Sequence, residues 1–177
     1  MNADRPGAPL AAHPLVLRRK PSMTRAEAAC AAMRDDFSCA QAVFATFARE
    51  MGIDQELALR AAGTLGGGMA RMGETCGSVS GALMVVGLRH GMTRPRDTSQ
   101  KDRAYAAGQE FVAEFVRRFG STRCKELLSV DLSQPGGLRQ AKLAGLFETR
   151  CPLFVEGSVQ ILEALGYPSE APPASAR

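Results

Sequence analysis

Signals for the start of a helix recur along this chain and favour an all-helical fold. Thr24 with Glu27, and Ser38 with Gln41, each form a capping box, in which the two side chains satisfy free amides of a first helical turn. Asp54 is a further candidate N-cap. No segment shows the alternation of polar and apolar residues that indicates a strand. The sequence therefore predicts an all-α protein.

Apolar residues at helical spacing predict about seven helices in a single compact domain. The longest is expected to begin at Thr98 or Ser99, to bury Phe111 and Phe115, and to end before Gly120. A chain of 177 residues is the usual size of one domain. We expect a flexible N-terminal tail at 1–22, the helical domain at 23–166 and a disordered C-terminal tail at 167–177.

Composition and charge exclude several classes of function. The net charge of +4 is mild and the chain has no Trp and two Tyr, so we expect no nucleic-acid partner. The longest apolar run, Gly81 to Leu88, is too short to span a bilayer, and the basic residues near the N-terminus follow their apolar stretch rather than precede it. We therefore expect a cytoplasmic protein without membrane insertion. The Gly81–Leu88 segment is a candidate homodimer interface.

Four of the five cysteines fall at predicted helix starts: Cys39, Cys76, Cys124 and Cys151. Free amides and the helix dipole stabilise a thiolate there, so we expect the pKa of each thiol to be lowered. Cys30 lies inside a predicted Ala-rich helix and is interpreted as a core residue. Since thiols of a cytosolic protein are kept reduced, metal ligation or redox catalysis is favoured over a disulfide framework.

The spacing of the cysteines excludes familiar small modules. The chain has no C-x-x-C and no C-x-x-C-H, so it carries neither a zinc knuckle, nor a thioredoxin-type motif, nor a haem attachment site. Long intervals separate the four cysteines, so the tertiary fold must assemble any site that they share. Sequence spacing alone leaves open whether it does.

A glycine-rich stretch between Gly63 and Gly81 contains seven of the 18 glycines. It lacks the Gly-Lys-Ser/Thr of a phosphate-binding loop, and no strand is predicted before it. Glycines allow backbone amides to approach a bound group, or helices to pack closely. We interpret Gly67, Gly68 and Gly77 as cofactor-binding residues, with Arg71 placed near an anionic centre.

Several segments, in the right order, resemble a known family of redox-active cysteine proteins with the pattern C…CGAxxG…C…C, also written C_GCAxxG_C_C. They are Ser38-Cys39-Ala40-Gln41-Ala42-Val43, the stretch from Gly66 through Cys76-Gly77-Ser78-Val79-Ser80-Gly81 to Leu83, Phe119 to Cys124, and Cys151-Pro152. Together they extend over about residues 24–166. Ser78 departs from the pattern, which has Ala there, and Cys30 lies outside it.

The resemblance implies one redox or metal site made by Cys39, Cys76, Cys124 and Cys151. Its first interpretation is a two-iron or four-iron cluster that carries electrons to an unidentified partner. A second interpretation, favoured almost as much as the cluster, is a metal-free protein whose cysteine pairs cycle between thiol and disulfide. A structural zinc site with four cysteine ligands and a binding module associated with a transporter system are further alternatives. Whether the chain is an enzyme stays open.

Overall fold

The computed structural model describes residues 22–168, and this part of the chain is all-helical, as predicted. It contains nine helices and no strand, where about seven helices were expected. In chain order they are α1 Arg25–Arg34, α2 Cys39–Ala48, α3 Gln55–Ala61, α4 Gly77–His90, α5 Thr98–Phe119, α6 Cys124–Leu128, α7 Gly137–Leu143, α8 Leu146–Thr149 and α9 Cys151–Ala164.

Both predicted capping boxes are present and set the starts of α1 and α2. The Thr24 hydroxyl accepts from the amide of Glu27, whose carboxylate accepts from the amide of Thr24 at 2.7 Å. Ser38 and Gln41 repeat this exchange at α2. Asp54 accepts from the amide of Leu57 at 2.9 Å and caps α3. These local bonds fix where α2 begins, and hence where Cys39 lies.

Helix α4 is central and packs against α2, α5 and α9. The α2–α4 contact is close because Gly77 and Gly81, one turn apart on α4, both face Ala40 of α2. Val85 and Val86 of α4 are buried within the same chain. In the Gly81–Leu88 segment, which the sequence indicated as a candidate dimer interface, the buried side chains pack inside this fold while Gly87 is exposed.

Aromatic side chains join α5 to α9. The Phe115 and Phe119 rings lie 4.8 Å apart between centroids, and Phe119 meets Phe154 edge-on at 5.3 Å. Gly157 leaves room for the Phe119 ring, which a Cβ at that position would overlap. This packing holds the helix that begins with Cys151 against the core.

The two predicted tails lie almost wholly outside the described residues, which include only Ser22 from the first and Tyr167 and Pro168 from the second. Tyr167 is buried, with its amide bonded to the Leu162 carbonyl at 2.9 Å and its ring against Arg89 and His90. Tyr167, which the prediction assigned to the C-terminal tail, therefore packs on the helical domain.

None of the helices between residues 22 and 168 combines the length and the hydropathy that a bilayer crossing requires.

Candidate functional site

The four pattern cysteines all lie at helix starts, as the sequence indicated. Cys39, Cys124 and Cys151 are the first residues of α2, α6 and α9, and Cys76 is the N-cap of α4. Cys76, Cys124 and Cys151 are each at most 5% exposed, while Cys39 is half-buried. Within residues 22–168 all the cysteines are free thiols.

A single β-bridge places Cys76 beside Cys124. It pairs Thr75 with Arg123, so the residue before each cysteine is fixed to its counterpart. The Cys76 amide donates to the Thr122 carbonyl at 2.8 Å, and the Cys124 amide donates to the Glu74 carbonyl at 2.6 Å. Backbone hydrogen bonds thus hold these two helix starts together.

Glycines make the close contacts that complete the site. A Cβ on Gly77 would lie 3.1 Å from the Cys39 Cβ, and a Cβ on Gly68 would lie 2.7 Å from the Cys124 Cβ. The backbone next to Cys76 therefore touches Cys39, and the glycine-rich loop touches Cys124. Both glycines were predicted as cofactor-binding residues; the described contacts give them a packing role against two cysteines.

One cavity of about 1310 Å³ is lined by the four pattern cysteines. Gly67, Gly77 and Arg71, which the sequence also indicated, lie on its wall, whereas Gly68 is buried behind it against Cys124. The remaining wall is mixed, with Leu127 and Leu128 of α6 among its apolar members and Arg34 and Glu148 among its charged ones. The fold thus gathers the pattern cysteines from four helices around one space.

Cys30, which the sequence indicated as a core residue outside the pattern, lines the same cavity. Its thiol lies 3.8 Å from the carbonyl oxygen of Pro152, the residue after Cys151. Helix α1, which carries Cys30, packs lengthwise on α9, and this packing explains the proximity. Burial raises the pKa of the Cys30 thiol, so its proximity does not by itself make it reactive.

Cys39 and Cys151 lie at the starts of two helices that pack together, α2 and α9. A hydrogen bond with the Cys151 side chain, together with burial, raises the pKa of the Cys39 thiol well above its usual value. Cys39 therefore keeps its proton at neutral pH. Both thiols line the same cavity.

The predicted lowering of thiol pKa values at helix starts is wrong for Cys39, Cys76 and Cys124. Burial raises the pKa of Cys76 to about 11 and that of Cys124 to about 12, with repulsion from neighbouring thiolates adding to both. The Ser78 hydroxyl and the amides of Ser78 and Val79 oppose this shift at Cys76 without reversing it. Desolvation in a shared apolar site outweighs the helix terminus.

These raised pKa values predict that the fold weakens at alkaline pH. Between pH 9 and about 11 the unfolded chain has lost the Cys76 proton while the folded chain keeps it, so the free energy of unfolding falls as pH rises, by about 1.4 kcal/mol per pH unit for each such thiol. Urea unfolding across this pH window should show the slope. In Cys76→Ser it should be shallower, and an equally steep slope in that variant would contradict the assignment to Cys76.

No group of three or more His, Cys, Asp or Glu side chains within residues 22–168 converges closely enough to hold a metal ion. The donor set is nevertheless the one that iron–sulfur clusters and four-cysteine zinc sites use, and all four cysteines line one cavity. A metal centre would thus require the four thiols to rearrange around it.

Sequence reasoning treated two further residues as ordinary, and the structure gives them positions at the site. Glu74 pairs with Arg123 at 3.0 Å and Lys125 at 2.9 Å, which ties the glycine-rich loop to α6 outside the β-bridge. Ser78 is fully buried, and its hydroxyl lies 3.3 Å from the Cys76 sulfur. The departure of Ser78 from the family pattern was the only signal that could have indicated its contact.

A comparison of the sequence with family models identifies the family of this chain. Residues 37–165 match the family described as "Putative redox-active protein (C_GCAxxG_C_C)". Because the match covers well over half of the 177 residues, the chain belongs to this family, and the resemblance drawn from its cysteines and glycines is confirmed. Searches of curated proteins and of solved structures give no match.

Proposed function

We propose that this chain is a thiol–disulfide redox protein in which Cys39 and Cys151 form the reversible disulfide. The observation that carries the proposal is that both thiols line one cavity and lie at the starts of two packed helices, α2 and α9. Disulfide exchange needs one thiolate and a second thiol within reach of it. Cys39 keeps its proton and shares the cavity with Cys151, so we assign the attack to Cys151.

The reaction follows from the order in which the two thiols act. The Cys151 thiolate attacks one sulfur of an incoming disulfide, forms a mixed disulfide and releases the first substrate thiolate. That thiolate, or solvent, takes the proton of Cys39. The Cys39 sulfur then attacks Cys151, closes the Cys39–Cys151 disulfide and releases the second substrate thiolate. Two protein thiols are oxidised and one substrate disulfide is reduced.

Mapping the disulfide tests this proposal. Fully reduced protein is treated anaerobically with hydroxyethyl disulfide, the remaining thiols are alkylated, and the peptides are analysed by mass spectrometry. We expect a Cys39–Cys151 cross-link as the main product. In Cys39→Ser the reaction should stop at a mixed disulfide on Cys151. A main cross-link between Cys76 and Cys124, or no cross-link, would exclude the proposed pair.

An iron–sulfur cluster is the second candidate, and the four thiols around one cavity favour it. Cys39, Cys76, Cys124 and Cys151 would hold the cluster, which would supply one-electron transfer. Iron, zinc and sulfide are measured in protein purified anaerobically. Brown protein that loses iron in Cys76→Ser and keeps it in Cys30→Ser would replace the dithiol proposal. Zinc without sulfide would indicate the structural zinc alternative.

A further inference from the structure

The glycine-rich loop contains a strained turn at the wall of the cavity. Five consecutive residues, 67–71, adopt left-handed backbone conformations, with φ between 51° and 72°. Glycine adopts this region readily, whereas Met69, Ala70 and Arg71 do so with backbone strain. Hydrogen bonds hold the turn, among them the Ala70 amide to the Thr64 carbonyl at 2.7 Å. Strain of this kind concentrates where a side chain must be presented to a ligand.

The turn presents positive charge without a partner. Arg71 lines the cavity, and within residues 22–168 its guanidinium makes no ion pair or hydrogen bond. In the same part of the chain, the amides of Gly66, Gly67 and Gly68 have no acceptor. Arg34 and Lys142 add two cations to the wall and Asp36 and Glu148 add two carboxylates, so its lining charges sum to one positive.

We infer that this turn, and Arg71 above all, recognises an anionic group on the disulfide that oxidises the Cys39–Cys151 pair. The inference rests on the proposed function and names its substrate class: a small disulfide that carries carboxylate or similar anionic groups. A guanidinium beside unpaired amides is a favourable partner for such a group. The same cavity wall contains Cys39 and Cys151, so binding would place the disulfide beside the attacking thiolate.

Three disulfides of different charge test the inference. They are dithiodipropionate, which is a dianion, hydroxyethyl disulfide, which is neutral, and cystamine, which is a dication. The rate of Cys39–Cys151 disulfide formation is measured with each and divided by the rate of the same compound with dithiothreitol. This ratio removes the differences between the leaving thiols, so that what remains reports recognition by the protein.

Arg71→Gln should lower the normalised rate with dithiodipropionate about tenfold at low salt, and that with the neutral disulfide by less than about twofold. Arg71→Lys should restore most of the loss because it keeps the charge. Arg96→Gln is the matched control. Arg96 is likewise exposed and left-handed, with φ of 64°, but lies outside the cavity.

The outcomes separate the two proposals. Arg71→Gln could slow all three disulfides equally, or Arg96→Gln could slow the reaction with dithiodipropionate as much as Arg71→Gln does. Either result would overturn the recognition role of Arg71 and would leave the proposed Cys39–Cys151 disulfide unaffected. Failure of the wild-type protein to form the Cys39–Cys151 disulfide with any of the three would overturn the proposed function, and this inference with it.

Discussion

Replacing Gly81 by Ala should destabilise the protein by about 3 kcal/mol, although Ala is the better helix former. A Cβ at Gly81 would lie 2.6 Å from the carbonyl oxygen of Ala40 and 3.1 Å from its Cα. Both contacts are with backbone, which cannot rotate away as a side chain can. Helices α2 and α4 would have to separate, and the contact between Gly77 and Cys39 would open with them. Urea unfolding measures the loss.

Gly87→Ala on the same helix is the control for Gly81→Ala. A Cβ at Gly87 meets nothing within 4 Å, so the change should leave stability the same or raise it by up to about 1 kcal/mol. The difference between the two variants isolates the helix–helix contact, since propensity is common to both. A Gly81→Ala protein as stable as Gly87→Ala would show that α2 and α4 do not meet at this point in solution.

The helical fold could be predicted from the sequence because its main signals are local. A capping box such as Ser38 with Gln41 involves side chains and amides within one turn, and the structure contains both boxes that the sequence indicated. The apolar face of α5, with Phe111 and Phe115, likewise depends only on helical spacing, and both rings are fully buried. Fold class, helix starts and much of the core therefore followed from short stretches of sequence.

The chemistry of the thiols could not be predicted in the same way because it depends on tertiary burial. A helix start favours a thiolate wherever it lies, and this local effect was the basis for expecting lowered pKa values. Four such starts meet in one apolar site, where Cys76 is 4% exposed and Cys124 5% exposed. Desolvation and mutual repulsion then raise the pKa values of both. The sequence contained no measure of either effect.

The pairing of cysteines was equally beyond the sequence. Cys39 and Cys151 are 112 positions apart, and the packing of α2 and α9 brings them to one cavity. The Thr75–Arg123 bridge that sets Cys76 beside Cys124 involves a two-residue contact too short to leave a strand pattern. The family resemblance identified the four cysteines that form one site, and the structure shows how the fold brings them around one cavity.

The second large effect on stability is expected in the glycine-rich loop. Gly68→Ala should destabilise the protein by about 3 kcal/mol and move Cys124 out of place. Gly68 has φ of +72°, and a Cβ there would lie 2.6 Å from the amide nitrogen of Glu74 and 2.7 Å from the Cys124 Cβ. Since Cys124 is held through the Glu74 carbonyl, one added methyl group disturbs both the loop and the start of α6.

Gly52→Ala separates the two causes of this loss of stability, which are the left-handed backbone at the glycine and the close contacts of an added Cβ. Gly52 has φ of +79°, but a Cβ there meets nothing within 4 Å, so this variant should lose only the roughly 1–2 kcal/mol of left-handed strain. Urea unfolding gives the stability of both variants, and alkylation of Cys124 in the folded protein should be faster in Gly68→Ala alone. Equal losses of stability, with Cys124 equally protected in both, would mean that the loop does not hold Cys124 in place. A larger loss at Gly68, with Cys124 released, would mean that the glycine is required for the contact that completes the cysteine site.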